Sequence, residues 1–131
     1  MSYLKYTTLF FNKNNVIRRN NTVNNIIALY NMYGHHKIQP HITLKQQAIM
    51  SADMALSNNE NEKLILSTFL HDIGHLIINE HNDKEDFLKK DLKHEDVGYR
   101  YLERYYDSDI IMPILYHVKA KRYLCSVNIN Y

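Results

Sequence analysis

The first 52 residues lack acidic side chains: they hold six lysines and arginines but no aspartate or glutamate. All fourteen acids fall between Asp53 and Asp109. A basic front half is one mark of a nucleic-acid binder. Six charges over 52 residues are sparse, however, and no aromatic–basic interleaving accompanies them, so a nucleic-acid partner is not expected. Glycine and proline are also scarce, with three and two in 131 residues. That excludes a turn-rich β-sandwich and favours helices joined by short turns, an all-α class. The single cysteine, Cys125, cannot close an internal disulfide, which suits a reducing compartment, and it reads as a small, semi-buried apolar residue. No apolar run approaches the roughly 18 residues of a membrane span, so no membrane association is expected. The start, MSYLKYTTLFFNKNNVIRR, is basic in the manner of an organelle transit peptide, but its apolar stretch is too short for a secretory signal. Cytoplasmic residence is expected.

At 131 residues the chain is long enough for one core and not for two. Residues 1–21 are rich in asparagine and show no periodicity, so they are expected to be irregular, with one domain over 22–131. Thr22 reads as an N-cap, and behind it Val23, Ile26, Ile27 and Tyr30 form one helical stripe. Gly34 and Pro40 break that helix. A second is expected from Thr43, with Ala48, Ala52, Ala55, Ile49 and Leu56 on its packing face. A third runs from Glu62 into His71, and a charged stretch over 79–93 reads as a loop with a helical turn. Two more helices follow, about 94–106 and about 108–118. No segment reads as a strand.

The stretch FLHDIGHLI, residues 69–77, carries the chemistry. On a continuous helix His71 and His75 share one face about 6 Å apart. Asp72 is turned by about 100°. Burying an unpaired carboxylate is costly, so a cation is expected nearby. His94 and His117 lie where two further apolar helix faces begin or end. With Asp72 they would make a two-histidine, one-carboxylate set, the type that holds non-haem iron with positions open for substrate or oxygen. The bland alternative is a helix end where Asp72 and His75 bond only each other.

HDIGH, then HEDVGYRYLERY, then PILYHVKAKRYL resembles the HD-domain superfamily over roughly residues 42–131. More narrowly the chain is similar to the mixed-valent diiron oxygenases that cleave small organophosphonates, relatives of myo-inositol oxygenase. The HVKAKRYL segment is the more specific part of the likeness. The resemblance implies an all-α helical bundle. It also implies that Asp72 bridges two irons, with His71 on the first and His94 and His117 on the second. His75 would stand close behind Asp72 in the catalytic machinery, and Lys121 would pair with the substrate phosphonate. A compact ammonium suits that last role.

The pattern departs from the family in two places. Its first ligand histidine falls, without gaps, on Gln47, and His41 lies six residues earlier on another face. The tyrosine and glutamate expected just before that histidine fall on Lys37 and Pro40. The family also runs past Tyr131 into a helix that supplies the last aspartate ligand. One iron site is therefore expected to be intact and the other incomplete. The expected function is oxidative cleavage of an organophosphonate with iron and dioxygen. Two alternatives stay open: a phosphohydrolase of a nucleotide or phosphoester, using manganese or another divalent metal, and a catalytically inactive helical module.

Overall fold

The computed structural model describes residues 15–82 and 93–131. Helix α1 (Asn15–Tyr33) is followed by strands β1 (Lys37–Gln39) and β2 (Ile42–Thr43). Helices α2 (Leu44–Ser57), α3 (Glu62–Leu70), α4 (Ile73–Asn82), α5 (His94–Leu102) and α6 (Ser108–Val127) complete the chain. The all-α expectation holds, with one small correction. β1 and β2 pair antiparallel around the turn at Pro40 and His41, although no strand was expected there.

Helices α2 and α3 start where the sequence provides a side-chain cap. Thr43 opens α2 with a reciprocal capping box: its hydroxyl accepts from the Gln46 amide, and the Gln46 side chain accepts from the Thr43 amide. Asn61 opens α3 by accepting from the Leu64 amide. α1 departs from expectation. It begins at Asn15, within the stretch expected to be irregular, and Thr22 is buried inside it instead of capping it. Its inward face is Thr22, Ile26, Leu29 and Tyr30, while Val23 (47% exposed) and Ile27 (52%) face outward. The apolar residues of this helix outnumber the positions its neighbours cover, so periodicity alone chose the wrong edge of the stripe. The same holds on α2, where Leu44, Ala48 and Ala55 are buried and Ile49 and Leu56 are exposed.

Three further boundaries differ from the sequence reading. Residues 79–82 continue α4, and the rest of the charged stretch, 83–92, lies outside the described residues together with 1–14. α5 ends at Leu102, and α6 continues through Val127, well past Val118. Lys119–Arg122 are good helix formers with no glycine or proline after them, so nothing stops the helix there. Every residue from Lys119 onward is exposed, Cys125 included, because this half of α6 extends past the core.

The core is one cluster in which Leu44, Leu70, Ile73, Leu76, Ile77, Leu102 and Ile114 are almost fully buried. α2 packs on α3, α4 on α5, and α6 on both α3 and α5. Two buried polar ties fix this arrangement. Ser67 Oγ donates to the Ile110 carbonyl at 2.8 Å, joining α3 to α6. Tyr30 Oη donates to the Phe69 carbonyl at 2.7 Å, joining α1 to the end of α3. Among the described residues, no helix is long and apolar enough to cross a membrane.

Candidate metal centre

The HD dipeptide interrupts a helix instead of riding on one. α3 ends at Leu70, His71 and Asp72 form a turn, and α4 starts at Ile73. A helix end leaves its last carbonyls without intrahelical donors. Here side chains supply two of them: His71 Nδ1 lies 2.6 Å from the Thr68 carbonyl, and Tyr30 takes Phe69. Burial, then the Asp72 charge, push the Tyr30 hydroxyl far above its ordinary range, so it remains a neutral donor. The break turns Asp72 into the interior, and His71 and His75 no longer share one helix as the sequence reading assumed.

Four imidazoles surround that carboxylate. His71 Nε2 is 3.0 Å from Asp72 Oδ2. His94 Nε2 and His117 Nε2 stand 3.2 and 3.5 Å from the other oxygen, Oδ1, and 3.0 Å from each other. Burial opposes ionisation of Asp72, but contacts from His117, His71 and His94 outweigh it and hold its carboxyl far below the usual carboxylate range. Burial also disfavours a charged His71. The Asp72 hydrogen bond and charge, with the Thr68 carbonyl, outweigh it and raise that ring's pKa, against a smaller opposing effect from Lys121.

The outer nitrogens of two of these rings are also occupied. His117 Nδ1 is 2.6 Å from the Ile114 carbonyl, as His71 Nδ1 is from Thr68. His94 Nδ1 faces Glu95 Oε2 at 3.6 Å. A carbonyl behind Nδ1 favours a proton there and an Nε2 lone pair aimed inward. In that tautomer the Nε2 lone pairs of His94 and His117 would face Asp72 Oδ1 together, an arrangement that a cation would complete. Their spacing suits one. Metal–nitrogen bonds of about 2.1 Å put neighbouring donors about 3.0 Å apart at right angles and about 3.4 Å apart at tetrahedral angles. The observed 3.0, 3.2 and 3.5 Å match those edges.

His75 also belongs to the cluster, and Asp72, His75 and His94 each bring one ligand atom within 4.8 Å of the others. Its ring stacks on His94, however, with centroids 3.8 Å apart and planes 19° from parallel. Stacked, near-parallel rings keep their in-plane lone pairs in two separate planes, so this pair does not converge on one ion. Burial, then the charges of neighbouring histidines, pull the His75 pKa down to about 4. His75 is thus a neutral plate behind His94.

Gly74 allows that closeness. A Cβ on it would stand 1.8 Å from the His94 carbonyl oxygen, so only glycine lets α4 approach the start of α5. Gly98 sits in the same crossing, where a Cβ would meet Ile73 at 3.3 Å and the Gly74 nitrogen at 3.4 Å. Neither glycine nor Glu95 figures among the residues expected from the sequence to build the site. The signals were present, in the glycine of HDIGH and in the acid directly after His94.

A cavity of about 590 Å³ opens over the cluster, lined by all four histidines, Asp72, Gln47 and Lys121. Lys121 lies one helical turn beyond His117 on α6 and is exposed at the rim. A second cavity of about 550 Å³, lined in part by Met50, Met54 and Leu64, reaches Gln47, His71 and His117 from the other side. Gln47 thus stands at the site, as the ungapped alignment placed it. His41 lies in the exposed hairpin turn and lines neither cavity.

The helical frame and its inward-turned donor set define a domain suited to presenting imidazoles and a carboxylate to a metal ion. The chain belongs to the HD-domain family, which matches residues 42–124. It is 35% identical over 109 residues to the hydroxymethylphosphonate dioxygenase of Gimesia maris, covering 83% of this chain and 54% of that one. Over 120 residues it is 31% identical to the 1-hydroxy-2-(trimethylamino)ethylphosphonate dioxygenase (glycine-betaine-forming) of Leisingera caerulea, covering 88% and 59%. It is 40% identical over 125 residues to an uncharacterized protein of Acanthamoeba polyphaga mimivirus, covering 93% and 56%. The chain therefore spans a little over half the length of these relatives, and the two named enzymes support the oxygenase branch of the family.

Proposed function

We propose that this chain binds a divalent metal, iron by preference, through Asp72, His94 and His117, and serves the oxidative cleavage of a small organophosphonate. The observation that carries this reading is the convergence of inward-aimed Nε2 atoms on one buried carboxylate inside a cavity that also takes Lys121. Similarity to two phosphonate dioxygenases supports the substrate class and the need for dioxygen. Two histidines and one carboxylate are the set that leaves iron open to further ligands.

When bound there, ferrous iron would supply the one-electron chemistry with dioxygen that side chains lack. The remaining roles fall to the chain's own residues. Asp72, held ionised, would anchor the metal, with His71 on its far oxygen. His75 would stay uncharged at neutral pH and so add no positive charge beside His94. Lys121, at the cavity rim, would draw in the phosphonate dianion and hold it with its carbon end toward the histidines.

The test is anaerobic loading with ferrous iron, followed by hydroxymethylphosphonate and a measured pulse of oxygen, with phosphate release followed by phosphorus NMR. Phosphate that appears only with oxygen and iron is the expected result. Release of phosphate from a phosphoester without oxygen would favour phosphohydrolase chemistry at the same residues. No turnover of either substrate by metal-loaded chain would favour a helical module without catalysis.

A further inference from the structure

The two oxygens of Asp72 are unequally furnished. Oδ1 faces two imidazole nitrogens, from His94 and His117, with three donor-atom separations between 3.0 and 3.5 Å. Oδ2 faces one, from His71 at 3.0 Å. Among the described residues, a metal on the Oδ1 side would have three protein ligands, whereas a metal on the Oδ2 side would have two. Two protein ligands rarely hold a divalent ion tightly.

Among the described residues, Gln47 is the side chain placed to change that count. It is half-buried and lines both cavities that meet at His71. Of the other polar groups lining that side, Ser51 stands on α2, and Asn58 and Glu60 are exposed in the loop after it. Thr68 Oγ1 donates to the Ile65 carbonyl at 2.8 Å, and Ser67 Oγ is committed to Ile110. Lys121 is a cation. A carboxamide oxygen is a weak, uncharged donor for a transition metal beside an imidazole, whose softer nitrogen these ions prefer. Position 47 therefore controls whether the Oδ2 side has a third ligand.

We infer that the 131-residue chain holds a single divalent ion, on the Oδ1 side of Asp72, and that Gln47 keeps the Oδ2 side from holding a second. The inference rests on the metal reading above and adds to it an occupancy and the residue that sets it. It makes Gln47 a specificity position for metal number.

The experiment is anaerobic titration of chelator-stripped chain with manganous ion, using elemental analysis after desalting and electron paramagnetic resonance to detect spin coupling. Three chains are compared: the natural sequence, Gln47→His and Gln47→Glu, each checked for helicity by circular dichroism. The natural chain is expected to retain one manganese with an uncoupled six-line signal. At least one of the two variants is expected to retain two, with the exchange-coupled signal of a bridged pair; using both guards against one misfolding. Two manganese in the natural chain would overturn the inference while leaving the metal reading intact. So would one manganese in all three folded chains, because Gln47 would then not be the limiting residue. No manganese in any folded chain would overturn the metal reading and this inference with it.

Discussion

The walls carrying His94 and Lys121 are built to different standards. His94 stands at the crossing of α4 and α5, where Gly74 and Gly98 let the two backbones meet and Ile73, Leu76 and Leu102 are fully buried. Lys121 stands on the outer half of α6, where every residue from Lys119 to Tyr131 is exposed. His117 lies between these two situations on the same helix. Ile110, Ile111 and Ile114 are buried just before it, and no buried side chain follows it. The proposed metal donors therefore rest on close-packed core, and the charge proposed to meet substrate rests on a helix held from one end. Rigid support suits coordination, which tolerates little displacement, whereas an anion can be met by a long side chain from several positions.

Substitutions at graded depth would break or sharpen this contrast. Gly74→Ala should act most strongly, because the new methyl meets a backbone oxygen that cannot move independently. The expected loss is about 3 kcal/mol or more, read from the urea midpoint, with metal affinity falling in parallel. Ile114→Ala empties a fully buried position at the root of His117 and should cost about 2–5 kcal/mol in the same assay. Glu95→Gln keeps the fold and removes a carboxylate charge 3.6 Å from His94 Nδ1, so metal affinity should drop by about tenfold with little change in stability. Lys121→Ala should leave metal retention unchanged and weaken phosphonate binding by about tenfold, measured calorimetrically on metal-loaded chain. Leu124→Ser, on the exposed half of α6, should change stability by less than about 0.5 kcal/mol. If Lys121→Ala instead cost stability on the scale of Ile114→Ala, the contrast between the two walls would collapse.

Much of the fold was legible because the caps and breakers are local. Thr43 with Gln46, Asn61, Gly34 and Pro40 marked their boundaries by chemistry acting within a few residues. The inward edge of α1 was not legible. Val23 and Ile27 are as apolar as Ile26 and Leu29, and only the position of the neighbouring helices decides which pair is covered. The break at His71 and Asp72 was hidden for a related reason. Its carbonyls are satisfied by Tyr30, 39 residues away from Phe69, and by a ring nitrogen whose direction no spacing rule supplies.

At the site, the residue types were legible and their arrangement was not. His71, Asp72, His75, His94, His117 and Lys121 were all singled out from the sequence, and all line one cavity. Their division among the two oxygens of Asp72, and the stacking of His75 on His94, depend on three helices meeting at angles the sequence does not state. The glycine crossing that sets those angles lay within the motif and was passed over.

The central claim is that Asp72, His94 and His117 share a metal ion. It is tested most directly by anomalous diffraction at the iron edge on crystals of the 131-residue chain loaded with ferrous iron. The account predicts an anomalous peak about 2.1 Å from the Nε2 atoms of His94 and His117 and in contact with Asp72 Oδ1. A peak coordinated by His75 in place of His117, or no peak at Asp72 in fully loaded crystals, would contradict it.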